Sequence, residues 1–188
     1  MSPWRCGILA TALALLSSCG DNPTEPPPDA DDEGTPLPTE AFADSSLETA
    51  VRQALALYAG PLTPEKLGWL ISLSARDREI SVLTGIEALH GLRTLDLAGN
   101  QIVDLGPLAA LDTLQLLDLS RNKVSDLTPL TGLPRLQVMV AADNQIADPS
   151  PLLSLPSLAE VDLTGNPLSA AGRQQVLELR TQGVRVSF

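Results

Sequence analysis

Aromatic side chains are nearly missing: two Trp, one Tyr and two Phe among 188 residues. A core of stacked rings is thereby excluded, and Leu, Val, Ile and Ala must fill it. Histidine occurs once, as His90, which leaves a Ser-His-Asp triad or a two-His metal site almost without parts. The two cysteines, Cys6 and Cys19, both lie near the N-terminus, and a processed leader containing them would leave no disulfide framework behind. Cations are few as well. Twelve Lys plus Arg stand against 23 Asp plus Glu, a net charge of −11. Such a chain has no basic surface to track phosphates, so nucleic acid is excluded as a partner. No cofactor is implied by any motif, and the chain reads as a binding protein rather than an enzyme.

What is present begins with MSPWRCGILATALALLSSC: one cation, Arg5, an apolar run from Cys6 to Leu16, then small residues. This order is that of a secretory signal peptide over 1–18. The run is too short for a membrane-crossing helix, which needs roughly 20 apolar residues. Leu16-Ser17-Ser18-Cys19 resembles the lipobox of bacterial lipoproteins. That resemblance implies cleavage before Cys19, lipidation of its thiol with diacylglycerol and palmitate-type chains, and stable anchoring by more than one chain. It also implies a cell-envelope location. Gly20 follows the cysteine where an aspartate would resemble an inner-membrane retention signal, which favours an outer membrane if the host has one.

Residues 19–41 are rich in Pro and acidic residues, with no Lys or Arg. They cannot bury a core, and the spacing predicts a disordered linker reaching on the order of 60 Å. Asp29, Asp31, Glu33, Gly34 and Glu40 fall at EF-hand-like calcium-loop positions, but Pro36 and Pro38 interrupt the loop and Pro26 to Pro28 forbid an entering helix. A solvated acidic linker is the simpler reading. An acidic spacer or matrix component acting through this linker, with or without calcium, is the alternative to recognition by the remainder.

Asn100, Asn122, Asn144 and Asn166 lie 22 residues apart. A fixed period of this length predicts a solenoid. Repeats beginning at Leu70, Leu92, Leu114, Leu136 and Leu158 align seven apolar slots. Slot four holds Leu73, Leu95, Leu117, Met139 and Val161, and with the back half taken in the first four repeats only Pro149 is not aliphatic, Ala or Met. The resulting pattern, LxxLDLxxNxIxDLxPLxxLxxL, resembles the leucine-rich repeat, and its length with the DLxPL back half is similar to the bacterial internalin-type class. The fold class expected is an α/β solenoid with short parallel strands on the concave face. Slots four and six face inward, and the asparagine amides pair with neighbouring backbones as scaffold. Asp104, Asp126 and Asp148 precede tight turns and accept from nearby N–H groups.

Solenoid ends need caps. Ser45 to Glu48 reads as a capping box, followed by Leu47, Ala50, Val51, Ala54, Leu55 and Tyr58 at helical spacing, and a second short helix starts at Thr63-Pro64. Ser169 opens a third helix, and Val184 to Phe188 alternates like a strand. The expected domain is therefore 42–188, with caps over 42–69 and 169–188 and repeats over 70–168.

The outward strand positions form columns. One is Ser72, Thr94, Leu116, Val138 and Glu160; the next is Ser74, Asp96, Asp118, Val140 and Asp162; a third is Arg76, Ala98, Ser120, Ala142 and Thr164. Leu116, Val138 and Val140 make an apolar centre, and Thr94, Asp96, Asp118, Ser120, Glu160 and Asp162 surround it as a rim. The face predicts binding of an unidentified protein by a monomer. Five strands span only about 19 Å. Asp96 and Asp118 also approach glycosidase carboxylate spacing, but an open sheet excludes no water, so a glycan or peptide hydrolase is the least favoured function.

Overall fold

The computed structural model describes residues 41–188. The leader, Cys19 and the acidic segment with its calcium-like spacing lie outside the described residues.

The chain enters through helix α1, Ser45–Ala54. Its N-cap is Asp44, one residue before the expected Ser45. Asp44 Oδ1 accepts from Ser46 N (2.9 Å) and Leu47 N (3.3 Å), while Oδ2 accepts from Ser81 N (3.0 Å) and so ties the helix start to the first repeat. A serine hydroxyl has no second oxygen for that task. Glu48 does not reach back as a capping box requires; it pairs with Arg52 Nε at 2.7 Å. Leu47, Ala50 and Val51 are buried. The helix stops earlier than its apolar spacing predicts, because Ala56 turns left-handed at φ 55° and the pair of bonds Ala56 N to Gln53 O and Leu57 N to Arg52 O closes a Schellman motif. Tyr58 consequently falls outside the helix and is 85% exposed. Helix α2, Pro64–Gly68, follows and buries Leu67.

Strands β1 (Ser72–Ser74), β2 (Thr94–Asp96), β3 (Leu116–Asp118), β4 (Val138–Val140) and β5 (Glu160–Asp162) pair in chain order, all parallel. Parallel neighbours require long crossovers, and here each crossover is the back half of a repeat. Single turns of 3-10 helix at Ile86–Ala88, Gly106–Ala110, Thr128–Gly132 and Ser150–Ser154 carry the chain across the back. Asp104, Asp126 and Asp148 start the last three by accepting from Gly106 N, Thr128 N and Ser150 N at 2.8 to 2.9 Å. Helix α3, Ala170–Thr181, is capped by Ser169 Oγ on Gly172 N, and it leads into β6, Arg185–Ser187. That last strand joins the sheet beside β5, with Val186 opposite Val161. The sheet thus has six strands rather than five, and its face lengthens to about 24 Å. Arg180 Nη2 donates to Val186 O at 2.6 Å, and its guanidinium lies 4.8 Å from the centre of the Phe188 ring.

Inward slots form one continuous apolar core in which Leu95, Leu117 and Met139 have no exposed surface. Between sheet and back run the asparagines. Asn122 Oδ1 accepts from Ile102 N (3.0 Å), and its Nδ2 donates to Leu97 O (3.0 Å) and Leu119 O (2.9 Å). Asn100, Asn144 and Asn166 repeat this arrangement, so each amide satisfies carbonyls of its own repeat and of the one before. The residue preceding each asparagine slot is left-handed in every repeat: Asp77, Gly99, Arg121, Asp143 and Gly165 have φ between 52° and 76°. Among the described residues no helix is long and apolar enough to cross a membrane.

Candidate functional site

The parallel pairing sets the columns of the concave face in the expected register. Thr94 lies beside Leu116, Leu116 beside Val138, and Val138 beside Glu160; Asp96 lies beside Asp118, Asp118 beside Val140, and Val140 beside Asp162. β6 extends the two columns with Arg185 and Ser187. Leu116 is 36% exposed, and Val138 and Val140 are half-buried next to it. These three aliphatic side chains therefore form one contiguous patch. The third column is less open than expected, because Ala98 is fully buried.

The rim carboxylates are less free than a reading of columns suggests. Asp96 Oδ1 accepts from Ala98 N (3.1 Å), Asp118 Oδ1 from Ser120 N (2.9 Å) and Asp162 Oδ1 from Thr164 N (2.9 Å). Each aspartate ends its strand by holding the N–H two residues on, a turn that short carboxylates favour. The hydroxyls of Ser120 and Thr164 donate to the same oxygens at 2.6 Å, so Ser120 is committed to Asp118. The remaining oxygens of Asp96 and Asp118 meet a single guanidinium, with Arg76 Nε 3.0 Å from Asp96 Oδ2 and Arg76 Nη2 3.0 Å from Asp118 Oδ2. The hydrogen bond to Asp96, and then the charges of Asp96 and Asp118, raise the Arg76 pKa above its ordinary value. At the far end Arg185 Nη2 pairs with Glu160 Oε2 at 2.6 Å.

Sequence reasoning placed these aspartates on the face but missed their partners. The turn was legible: Asp96-Leu97-Ala98, Asp118-Leu119-Ser120 and Asp162-Leu163-Thr164 share the two-residue spacing of the Asp104-type turns. Arg76 required the register, since it reaches 42 residues along the chain to Asp118.

General acid–base chemistry at Asp96 and Asp118 would need one of the two to hold a proton. Both are instead bound by one guanidinium, at 3.0 Å each. Among the described residues no group of His, Cys, Asp or Glu is placed to hold a metal ion. His90 is exposed, and its carbonyl serves Thr113 Oγ1 at 2.7 Å. What the site presents is an apolar patch within a hydrogen-bonded, charge-paired frame, the makeup of a contact surface.

Residues 90–132 match the family model of leucine-rich repeats in two copies. An internalin of Listeria monocytogenes shares 28% identity over 84% of this chain and 46% of its own, with a TM-score of 0.73. A leucine-rich-repeat protein of Leptospira interrogans shares 28% identity over 68% of this chain and 34% of its own, with a TM-score of 0.61. The chain thus spans less than half the length of either structure. No curated protein matches it. The fold is that of a leucine-rich-repeat solenoid with helical and helix-strand caps, similar along most of its length to an internalin.

Proposed function

We propose that the chain is an envelope-anchored recognition module that binds a protein partner on its concave face, through Thr94, Asp96, Leu116, Asp118, Ser120, Val138, Val140, Glu160 and Asp162. The observation that carries this reading is the patch of Leu116, Val138 and Val140, three aliphatic side chains adjacent by strand register on the one sheet face that the repeats leave open. Apolar side chains gathered on a framed sheet gain free energy when a partner removes them from water, at about 25 cal/mol per Å². A face about 24 Å long supports binding in the micromolar range more readily than an obligate complex. In this reading Cys19 carries the lipid, residues 19–41 hold the repeats off the membrane, and the domain acts as a monomer. The fold's similarity to internalins supports the binding role.

The test is capture by full-length protein beside its Val138→Ser/Val140→Ser variant. Capture lost with an unchanged melting profile supports the concave site. Retained capture moves the contact to the back turns or the acidic linker. For the anchor, mass spectrometry of membrane-extracted protein reads the mature N-terminus, and an unmodified Cys19 thiol would sink that part.

A further inference from the structure

The carboxylates of the strands and of the left-handed slot divide into two groups. In the first three repeats each has a guanidinium: Asp96 and Asp118 share Arg76, and Asp77 receives Arg121 Nη2 at 3.2 Å. Glu160 has Arg185. Asp143 and Asp162 have no cationic partner among the described residues. Arg121 holds the same slot as Asp143 one repeat earlier, but its guanidinium reaches across Gly99 towards Asp77. The two unmatched carboxylates belong to one place. Asp143 N donates to Thr164 O at 2.8 Å, a β-carbon on Gly165 would collide with Asp143 Oδ1, and Thr164 N and Oγ1 hold Asp162 Oδ1. Thr164 thus separates them. Asp162 is in turn the strand partner of Val140, on the edge of the apolar patch.

Resting on the concave-face reading, we propose that this end of the face takes a partner segment in which a lysine or arginine stands beside a bulky aliphatic residue. The aliphatic side chain covers Val138 and Val140, and the cation meets Asp143 and Asp162. Complementarity carries the choice: the other four carboxylates of the face are each in contact with one of three guanidiniums, and the two that contact none stand where the aliphatic patch ends. An acidic segment would face like charge there, with Arg76 and Arg121 already engaged.

A random dodecapeptide library displayed against the full-length chain tests this, followed by fluorescence anisotropy with the enriched peptides. Peptides with Lys or Arg within a few residues of Leu, Ile or Val are expected. Asp143→Asn/Asp162→Asn should weaken them roughly tenfold and flatten their salt dependence. Asparagine keeps the oxygen that Thr164 needs, so the melting profile should hold. Val138→Ser/Val140→Ser should abolish binding. Enriched peptides that lack a cation, or an unchanged affinity in the Asn pair while the valines still matter, overturn the cation preference and leave the concave site standing. Peptides indifferent to the valine pair overturn the concave site itself.

Discussion

Arg121 pairs with Asp77 across an entire intervening repeat, its Nη2 3.2 Å from Asp77 Oδ1, and Gly99 is the residue passed over. A β-carbon at Gly99 would strike the Asp77 carboxylate and stand 3.1 Å from the guanidinium. The glycine therefore serves both its own left-handed backbone, φ 71°, and the ion pair above it. Gly99→Ala is expected to cost about 1 to 2 kcal/mol, most of it conformational. Because the obstructing atom ends a flexible side chain, part of the cost should vanish in an Asp77→Ala background. Denaturant melts of the four proteins in this cycle measure that coupling, and strict additivity would mean that the pair does not form over Gly99.

Leu117 and Asn122 sit in the same central repeat and should fail differently. Leu117→Ala leaves a cavity walled by neighbours on both sides, at a cost of about 2 to 5 kcal/mol. Asn122→Ala leaves Ile102 N without its acceptor and takes one of two amide donors from each of Leu97 O and Leu119 O, for roughly 1 to 3 kcal/mol. Equilibrium unfolding checks both, and the absence of either loss would contradict the core assignment.

Val140 stands where three other repeats place the strand-ending aspartate, so Ala142 N lacks a side-chain acceptor from that position. Val140→Asp should supply one. Asp118 and Asp162 would flank the new charge on adjacent strands, opposing it by about 0.2 to 1 kcal/mol. The gain and the repulsion should leave stability within about 1 kcal/mol of the parent, with the variant improving relative to it as salt rises. A much larger loss in urea melts would mean that Val140 packs too tightly to be a surface position.

Acid should loosen the back of the solenoid. Thr128, through its hydroxyl and then its N–H, holds the Asp126 carboxyl below the usual range, and Ser150, through its N–H and then its hydroxyl, does the same for Asp148. A folded pKa below the unfolded one contributes stability that is complete above the unfolded value, near 3.9, and is lost as pH falls through the folded value. Asp126→Asn/Asp148→Asn preserves the acceptors but cannot titrate, so stability below about pH 4 should fall less steeply in the variant. Parallel acid titrations of both proteins, followed by circular dichroism, read the difference.

How far the fold was legible depended on what each residue answers to. The 22-residue asparagine period and the apolar slots are set within one repeat, so the columns of Thr94 to Glu160 and Asp96 to Asp162 could be written from the sequence and recur in the strand register. Arg76 and Arg121 answer to side chains one and two repeats distant, which no local pattern encodes. The cap was misread by one residue because Asp44 and Ser45 are both good N-caps, and only the contact from Asp44 to Ser81 decides between them. The left-handed slot carried a visible signal that went unread: glycine or aspartate occupies four of its five positions, with Arg121 the exception. For the candidate site, the columns were recoverable and the ion pairing was not, since Arg76 and Arg121 reach across repeats to their carboxylates.

The asparagine ladder has a consequence for how such a chain can change length. No amide in it bonds beyond the joint with the preceding repeat, so nothing there counts how many units follow. Excising the 22 residues from Leu114 to Arg135 would deliver Leu136 to the seat of Leu114 and Asn144 to that of Asn122, with every inward slot refilled. Excising one residue more or fewer would set the whole remainder out of phase. Duplication and loss of whole units are therefore the tolerated edits, and each adds or removes one strand's width of concave face while leaving both caps as they were.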